Sequence, residues 1–307
     1  MGKRWAFWGI GLGALYAAFC TFLYTQQGRF IFAPTPTIEK TPARYRLAYD
    51  EVNLSMGPTA PPQDRLNGWW IPASAPQHQT LLYCHGNGLN IGANVDHAYR
   101  FHQMGLSVFL FDYRGYGQSR GAFPTETSVY ADVERAWTYL TQDRHISPSN
   151  ILIYGHSLGG AIAIELATRH PNAGGLIVQS SFTSALEMAR RKPWTVLFPT
   201  EQLLTQRFDS IAKVARLQLP VLFIHGTQDS LIPSVMSERL YAANRSPLKQ
   251  LKLFPKANHN NVAEVAGSAY TQAVKGFVHQ ALASRCKDCA VTLQMRQSGS
   301  TSAPILR

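Results

Sequence analysis

Residues 154–161 read YGHSLGGA and place Ser157 within the pattern Gly-x-Ser-x-Gly. Glycine and serine are common, so the pattern alone does not separate a reactive serine from an ordinary turn. The surrounding sequence favours a reactive serine, because residues 150–154 form a strand-like apolar run and residues 160–169 have the alanine-rich composition of a helix. A serine at the tip of so tight a strand-to-helix turn exposes its hydroxyl beside the positive end of the helix dipole. The stretch therefore predicts that Ser157 is a nucleophile.

The apolar segments of the chain predict the fold around this turn. Most are continuous runs rather than alternating ones, which suits strands buried on both faces of a parallel sheet. Segments with helical periodicity lie between them, so the sequence predicts a doubly wound α/β domain. The predicted strands cover residues 66–71, 80–84, 107–112, 150–154, 175–179, 220–224 and 251–254, and the predicted helices cover residues 127–140, 160–169 and 262–283.

Two later strand ends supply the partners that a nucleophilic serine needs. A serine hydroxyl is weakly reactive near neutral pH and needs a base, which is usually a histidine held by a carboxylate. Asp229 follows the predicted strand 220–224, and His259 follows the predicted strand 251–254. Both loops open on the sheet edge that carries Ser157, in the chain order expected for such a turn. The predicted catalytic triad is Ser157, Asp229 and His259.

Two backbone N–H groups are expected to hold the oxyanion that forms when the serine attacks. Leu158, the residue after the nucleophile, supplies one of them. The loop HGNG of residues 85–88 follows an earlier strand and supplies the other. Asn87 is the predicted donor in this loop, and Gly88 is the alternative.

Three further histidines lie close to these residues in the sequence. His156 precedes the nucleophile and is expected to point into the core. His85 and His225 each follow a strand within a His-Gly turn. Both are interpreted as turn or oxyanion-loop residues.

One segment interrupts the alternation of strands and helices. About forty residues separate Gln179 from Pro220, and two prolines interrupt any long helix there. Ligands bind at this edge of open α/β sheets, so residues 183–215 are predicted to form a small cap over the site. Candidate substrate-binding residues are Gly88, Phe182 and Trp194.

The composition excludes several classes of protein. The chain has 307 residues, of which 45% are hydrophobic and 15% charged, so a sizeable packed core is expected. The net charge of +11 is scattered and accompanies no zinc-finger or RNP-like pattern, so nucleic-acid binding is not expected. The cysteines offer a single C-x-x-C pair, Cys286 and Cys289, which is too few ligands for a zinc site. No metal or organic cofactor is expected.

The N-terminal residues 1–28 are predicted to form a single-pass membrane anchor. Residues 5–24 are 20 uncharged residues, long enough to cross a hydrocarbon core. The alternatives are a cleaved signal peptide and a lipoprotein modified at Cys20, but no clear small-x-small site occurs and bulky Phe19 precedes the cysteine. Basic residues before the run favour a catalytic domain on the non-cytoplasmic side, whereas basic residues after it weaken that orientation.

The predicted cap offers a second candidate membrane contact. Its basic cluster Arg190-Arg191-Lys192 stands beside an apolar run, residues 194–198. One interpretation is contact with an anionic membrane surface. The other is an ordinary solvated turn above a core-facing run.

Eight short motifs are spread over residues 29–283. They are RFIFAP (29–34), HGNG (85–88), FDYRGYGQSRG (111–121), YGHSLGG (154–160), QSSFTS (179–184), RFDSIAKV (207–214), FIHGTQDSLIP (223–233) and ANHNN (257–261). Together they resemble the membrane-anchored serine α/β-hydrolases of the Bem-like (bud-emergence homologue) group. The resemblance implies the α/β-hydrolase fold, hydrolysis of lipids or thioesters, and the triad already predicted from spacing. Asp112 precedes Ser157 in the chain and is interpreted as structural.

The combined prediction is a serine hydrolase that cleaves acyl esters or thioesters, with lipid-like substrates, through an acyl-enzyme. A serine aminopeptidase-like hydrolase is the alternative among enzymes. A catalytically inactive scaffold that binds a partner through the same pocket is the alternative outside them. The catalytic domain is predicted to cover residues 29–284, and the polar residues 285–307 are predicted to be a disordered tail.

Overall fold

The fold is described from a computed structural model of the chain. The backbone is described for residues 2–74 and 79–298, and the side chains for residues 8, 10–74 and 79–284. The strands are β1 (Ala33–Pro34), β2 (Asp50–Ser55), β3 (Arg65–Ile71), β4 (Thr80–Cys84), β5 (Gly88–Leu89), β6 (Ser107–Phe111), β7 (Ile151–His156), β8 (Gly175–Gln179), β9 (Val221–Gly226) and β10 (Lys249–Phe254). The α-helices are α1 (Gly2–Ile31), α2 (Val95–Gln103), α3 (Glu126–Thr138), α4 (Leu158–Arg169), α5 (Ala185–Arg190), α6 (Thr200–Leu203), α7 (Ser210–Val214), α8 (Val235–Ala243), α9 (Val262–Ala266) and α10 (Ser268–Ser298).

The main sheet runs in the order β10-β9-β8-β7-β4-β6-β3-β2. Neighbouring strands from β10 to β6 are parallel, whereas β3 and β2 add an antiparallel edge. All seven predicted strands are confirmed to within two residues at each end. The sequence does not predict β2, because its residues DEVNLS include two acidic side chains and only Val52 and Leu54 are buried.

Each central strand contributes side chains to two hydrophobic cores, one on each face of the sheet. In β7, Ile151 and Ile153 belong to one core, and Leu152 and Tyr154 belong to the other. The first core also contains apolar residues of α3, α4, α7 and α8, and the second contains those of α2, α9 and α10. This double burial explains the continuous apolar runs, because a strand covered on both faces needs no polar side.

The C-terminal helix differs from its predicted bounds, 262–283, at an internal break and at its end. The helix predicted over residues 262–283 is divided at Gly267, which adopts a left-handed φ of 53° and so ends α9. The following helix, α10, runs to Ser298 through most of the segment predicted to be disordered. Residues 285–298 contain neither proline nor glycine to stop a helix. The side chains of Cys286 and Cys289, and all of residues 299–307, lie outside the described residues.

The N-terminal helix α1 (Gly2–Ile31) extends beyond residue 28, where the predicted anchor ends. Its last turns pack on the α/β domain, where the Gln27 side chain contacts the backbone of residues 203–206. The predicted boundary at residue 28 therefore cuts through a helix that belongs partly to the domain. In the part of the chain that the structure describes, no helix combines the length and apolar character needed to cross a membrane.

Candidate active site

The turn between β7 and α4 holds Ser157 in a strained conformation. Its φ of 57° and ψ of −122° are unusual for a residue with a side chain. Two glycines make the turn possible, since a Cβ on Gly155 would lie 2.2 Å from the Gly159 carbonyl oxygen, and a Cβ on Gly159 would lie 2.1 Å from the Cys84 carbonyl oxygen. The predicted strand–turn–helix arrangement around Ser157 is thus the one observed.

The backbone of Ser157 is fixed by neighbouring chain segments. Its N–H donates to the Gln179 carbonyl oxygen (2.9 Å), and its own carbonyl oxygen accepts from the Ser181 hydroxyl (2.8 Å). Gln179 and Ser181 lie at the end of β8, which pairs with β7. The strained turn is therefore held from the adjacent strand, which keeps the serine at the carboxyl edge of the sheet.

Asp229 and His259 meet at the same edge, as predicted. The His259 Nδ1 atom lies 2.7 Å from Asp229 Oδ2 and donates a hydrogen bond to it. The other oxygen, Oδ1, accepts from the backbone N–H groups of Leu231 (3.0 Å) and Ile232 (2.8 Å). The carboxylate is thereby fixed in orientation, and the His259 ring is held with Nε2 available as a base.

His225 is a second side-chain partner of Asp229, a role that the sequence analysis did not predict. Its Nε2 atom lies 3.1 Å from Asp229 Oδ2 and 2.8 Å from the Ile232 carbonyl oxygen. Because both partners are acceptors, Nε2 carries the proton, and Nδ1 accepts from the Ser237 hydroxyl at 2.6 Å. Burial raises the pKa of Asp229, but the hydrogen bonds from His225 and His259 outweigh it and hold the pKa well below its usual range.

We expect His225→Asn to lower kcat about tenfold, because a hydrogen bond to a charged group contributes about 1.5 kcal/mol or more. Without this donor the pKa of Asp229 rises. Initial rates at pH 8 test the loss of kcat, and a carbon-13 NMR titration of the Asp229 carboxyl group tests the rise of its pKa.

A matched control for this variant is His170→Asn. His170 pairs with Glu134 at 2.8 Å, and it follows the carboxyl end of α4, whereas Ser157 precedes the amino end of that helix. The control removes a histidine–carboxylate contact without touching the site. An unchanged Asp229 pKa in His225→Asn, or an equal shift in His170→Asn, would contradict a role of His225 in positioning Asp229.

His156, expected to point into the core, is buried and supports the His259 loop. Its Nε2 donates to the His259 carbonyl oxygen at 3.1 Å. Burial, reinforced by the neighbouring His259 and His97, lowers the pKa of His156 to about 3. The ring is therefore neutral near pH 7 and acts as a hydrogen-bond donor to the loop that carries the predicted base.

Among the described residues, no hydrogen bond joins the Ser157 hydroxyl to the His259 ring. Such contacts are often long without substrate and tighten when substrate binds. The structure therefore brings two members of the predicted triad, Asp229 and His259, into direct contact. Ser157 lies near them because its neighbour His156 contacts His259.

The predicted oxyanion donors are placed beside Ser157. Leu158 and Asn87 line the same cavity as Ser157, and in the described part of the chain neither backbone N–H has an acceptor. The Asn87 carbonyl is held by the Tyr116 hydroxyl (2.6 Å) and the Ala33 N–H (2.9 Å). Gly88, the alternative, lies in the short strand β5 and is outside the cavity lining.

His85 and Asp112 form a fully buried pair behind this loop. The His85 Nε2 atom lies 3.3 Å from Asp112 Oδ1, which also accepts from the Ile91 N–H at 2.8 Å. Burial, partly offset by the His85 contact, raises the pKa of Asp112. The pair ties the loop that contains Asn87 to the end of β6, in agreement with the structural interpretation of Asp112.

A cavity of about 540 Å³ opens at Ser157. Phe182 and Trp194, two of the predicted substrate-binding residues, are part of its wall. The cap contributes apolar residues from α5, α6 and the 3₁₀ turn Pro193–Leu197. The last turns of α1 complete the lining, which the sequence analysis did not predict. Further lining residues include Leu23, Phe30, Met188, Phe198, Leu203, Phe208 and Leu231.

Comparison with known proteins agrees with this architecture. The chain matches the family model described as serine aminopeptidase S33 over residues 75–210 and 200–266. Protein bem46 of Schizosaccharomyces pombe is 30% identical over 283 residues, covering 88% of each chain. Human α/β-hydrolase domain-containing protein 17B is 33% identical over 222 residues, covering 71% of this chain and 73% of that one.

Solved structures show the same fold at lower identity. An esterase of Pyrococcus furiosus has a TM-score of 0.67 and 18% identity, covering 81% of this chain and 98% of that one. The α/β-hydrolase fold and the resemblance to the Bem-like group are both confirmed. The chain therefore belongs to the Bem46-like family of α/β-hydrolases.

Proposed function

We propose that the protein is a serine hydrolase that cleaves acyl esters or thioesters of lipid-like substrates. The observation that carries the proposal is the strained Ser157 in the wall of a largely apolar cavity, beside the hydrogen-bonded pair Asp229 and His259. An esterase-type site needs such a nucleophile, a base held by a carboxylate, and space for an acyl chain.

The proposed reaction has two stages. The Ser157 oxygen adds to the substrate carbonyl while its proton passes to His259 Nε2, and the Leu158 and Asn87 N–H groups hold the oxyanion. The bond to the leaving group then breaks, and the leaving alcohol or thiol takes the proton from His259. Water adds to the acyl-enzyme with His259 again as the base, which releases the acid and restores the Ser157 hydroxyl.

The lining of the cavity favours an acyl group over a peptide amine. Lys192 is the charged residue of the lining, and none of the described lining residues is acidic. A free substrate amine is recognised by a carboxylate, whereas an acyl chain needs only apolar contact. The serine aminopeptidase activity after which the matching family is named is therefore the second candidate.

A fluorophosphonate probe tests the proposal on the full-length protein. We expect the probe to modify Ser157, located by mass spectrometry of the labelled peptide. In parallel, p-nitrophenyl acyl esters, monoacylglycerols, lysophospholipids and aminoacyl amides are compared as substrates, and we expect esters to be cleaved fastest. Absence of labelling in the folded wild type overturns the serine mechanism, whereas fastest cleavage of aminoacyl amides favours the peptidase.

We also propose that the protein associates with membrane through α1, with the catalytic domain on the non-cytoplasmic side. Support comes from the uncharged run 5–24 and from exposed apolar side chains on α1 and the cap, including Leu12, Val196 and Leu197. In flotation with anionic vesicles, we expect the full chain to rise with the lipid. Its retention in the dense fraction would contradict membrane association.

A further inference from the structure

We propose that helix α1 is a wall of the substrate cavity, so that the helix predicted to anchor the protein also sets acyl-chain selectivity. This inference rests on the proposed ester hydrolysis. Among the lining residues, Leu23, Gln27 and Ile31 follow one another at intervals of four positions, and Phe30 lies three positions after Gln27, so all four share one face of the helix. That face and Ser157 line the same cavity.

Gln27 fixes this helix face against the cap. It is 8% exposed, and its Oε1 accepts from the backbone N–H groups of Thr205 (2.8 Å) and Gln206 (3.0 Å). Its Nε2 donates to the Tyr24 carbonyl oxygen (2.7 Å) and to the Leu203 carbonyl oxygen (3.4 Å). Because an unpaired buried amide is unfavourable, these bonds hold α1 and the segment after α6 together.

Aromatic contacts extend this attachment toward the start of the helix. The Tyr16 ring stacks on Phe198 with centroids 5.7 Å apart, and the Phe19 ring lies 5.1 Å from the same partner. The Tyr16 hydroxyl also donates to the Leu197 carbonyl oxygen at 3.1 Å. Since Phe198 itself lines the cavity, α1 supports the cap side of the wall as well as forming its own side.

The open side of the cavity is apolar on both of these elements. Phe30 of α1 and Trp194 of the cap line the cavity, yet they are 62% and 49% exposed. They therefore lie at its mouth. An acyl chain bound at Ser157 has an apolar path toward these two rings, and Leu23 and Gln27 belong to the α1 side of the same cavity.

Leu23→Trp tests the inference because a larger side chain fills part of the cavity. We expect kcat/KM for p-nitrophenyl dodecanoate to fall at least ten times more than kcat/KM for the butyrate. Leu15→Trp is the matched control, since Leu15 is on the same helix, 76% exposed and outside the lining. Its ratio of dodecanoate to butyrate rates should equal that of the wild type.

Leu23→Ala is the complementary variant, which keeps the test decisive if the tryptophan variant does not fold. It enlarges the cavity, so the preferred chain length should move to longer esters. An unchanged chain-length profile in a folded, active Leu23 variant overturns the role of α1 and leaves ester hydrolysis standing. Absence of hydrolysis of every ester by the wild type overturns the proposed function, and this inference with it.

Discussion

Replacing Ser157 by alanine is expected to lower kcat for ester hydrolysis about 10⁶-fold, because the nucleophile and its base act as a unit. The remaining N–H groups of Leu158 and Asn87 can still stabilise an oxyanion, so a small rate above that of water should persist. The fold should be retained, since the Ser157 contacts that hold the turn are made by its backbone. Burst-phase and steady-state release of p-nitrophenol measure the loss.

Ser181→Ala is the control for this variant. It removes a hydroxyl of the same kind that donates to the Ser157 carbonyl oxygen but does not face the reaction. Loss of one neutral hydrogen bond is worth about 1 kcal/mol, so we expect a decrease of about tenfold or less. If Ser157→Ala retains more than about 1% of the wild-type rate, the acyl-enzyme mechanism fails.

The central sheet could be predicted from sequence because burial on both faces leaves a simple pattern. In strands such as β4 and β7 every residue is buried, so each is a continuous apolar run ended by a glycine turn. At the edge of the sheet this pattern is lost. β2 is covered on one face only, and its charged residues make it indistinguishable from a polar loop.

The three predicted triad residues each lie shortly after a strand, as the sequence indicated. The residues that support them could not be identified from their position in the sequence. His225 lies at the end of β9 and His259 in the loop after β10, so the sequence places both near the end of a predicted strand. Only the structure shows that the His225 ring supports Asp229, whereas the His259 ring contacts Asp229 and can also face Ser157.

The proposed role of α1 could not be predicted from the sequence either. A helix that faces lipid and one that faces an acyl cavity need the same apolar residues, so composition cannot separate the two environments. Gln27 is a polar residue on this face, but three of the hydrogen-bond partners of its amide lie 176 or more residues away in the cap. Contacts between such distant segments leave no periodic signal.

Asp229→Asn is expected to lower kcat about 10⁴-fold, the second-largest effect. The backbone N–H groups of Leu231 and Ile232 fix one side-chain atom as an oxygen acceptor, as they do for Oδ1. The amide nitrogen then takes the place of Oδ2 and faces His259 Nδ1, which must become an acceptor. The proton moves to Nε2, and the ring can no longer accept the proton of Ser157. The effect equals about 5 kcal/mol in the barrier.

Asp209→Asn separates this tautomer effect from the loss of a charge. The Asp209 carboxylate accepts the Ala212 N–H at the start of α7, and asparagine is nearly as good in that position. We expect this control to keep wild-type kcat and stability. The fluorophosphonate labelling rate should fall in parallel with kcat in Asp229→Asn, since both reactions need the activated serine. A variant that labels at the wild-type rate would show that Asp229 does not act through His259, and another carboxylate would have to be sought for the triad.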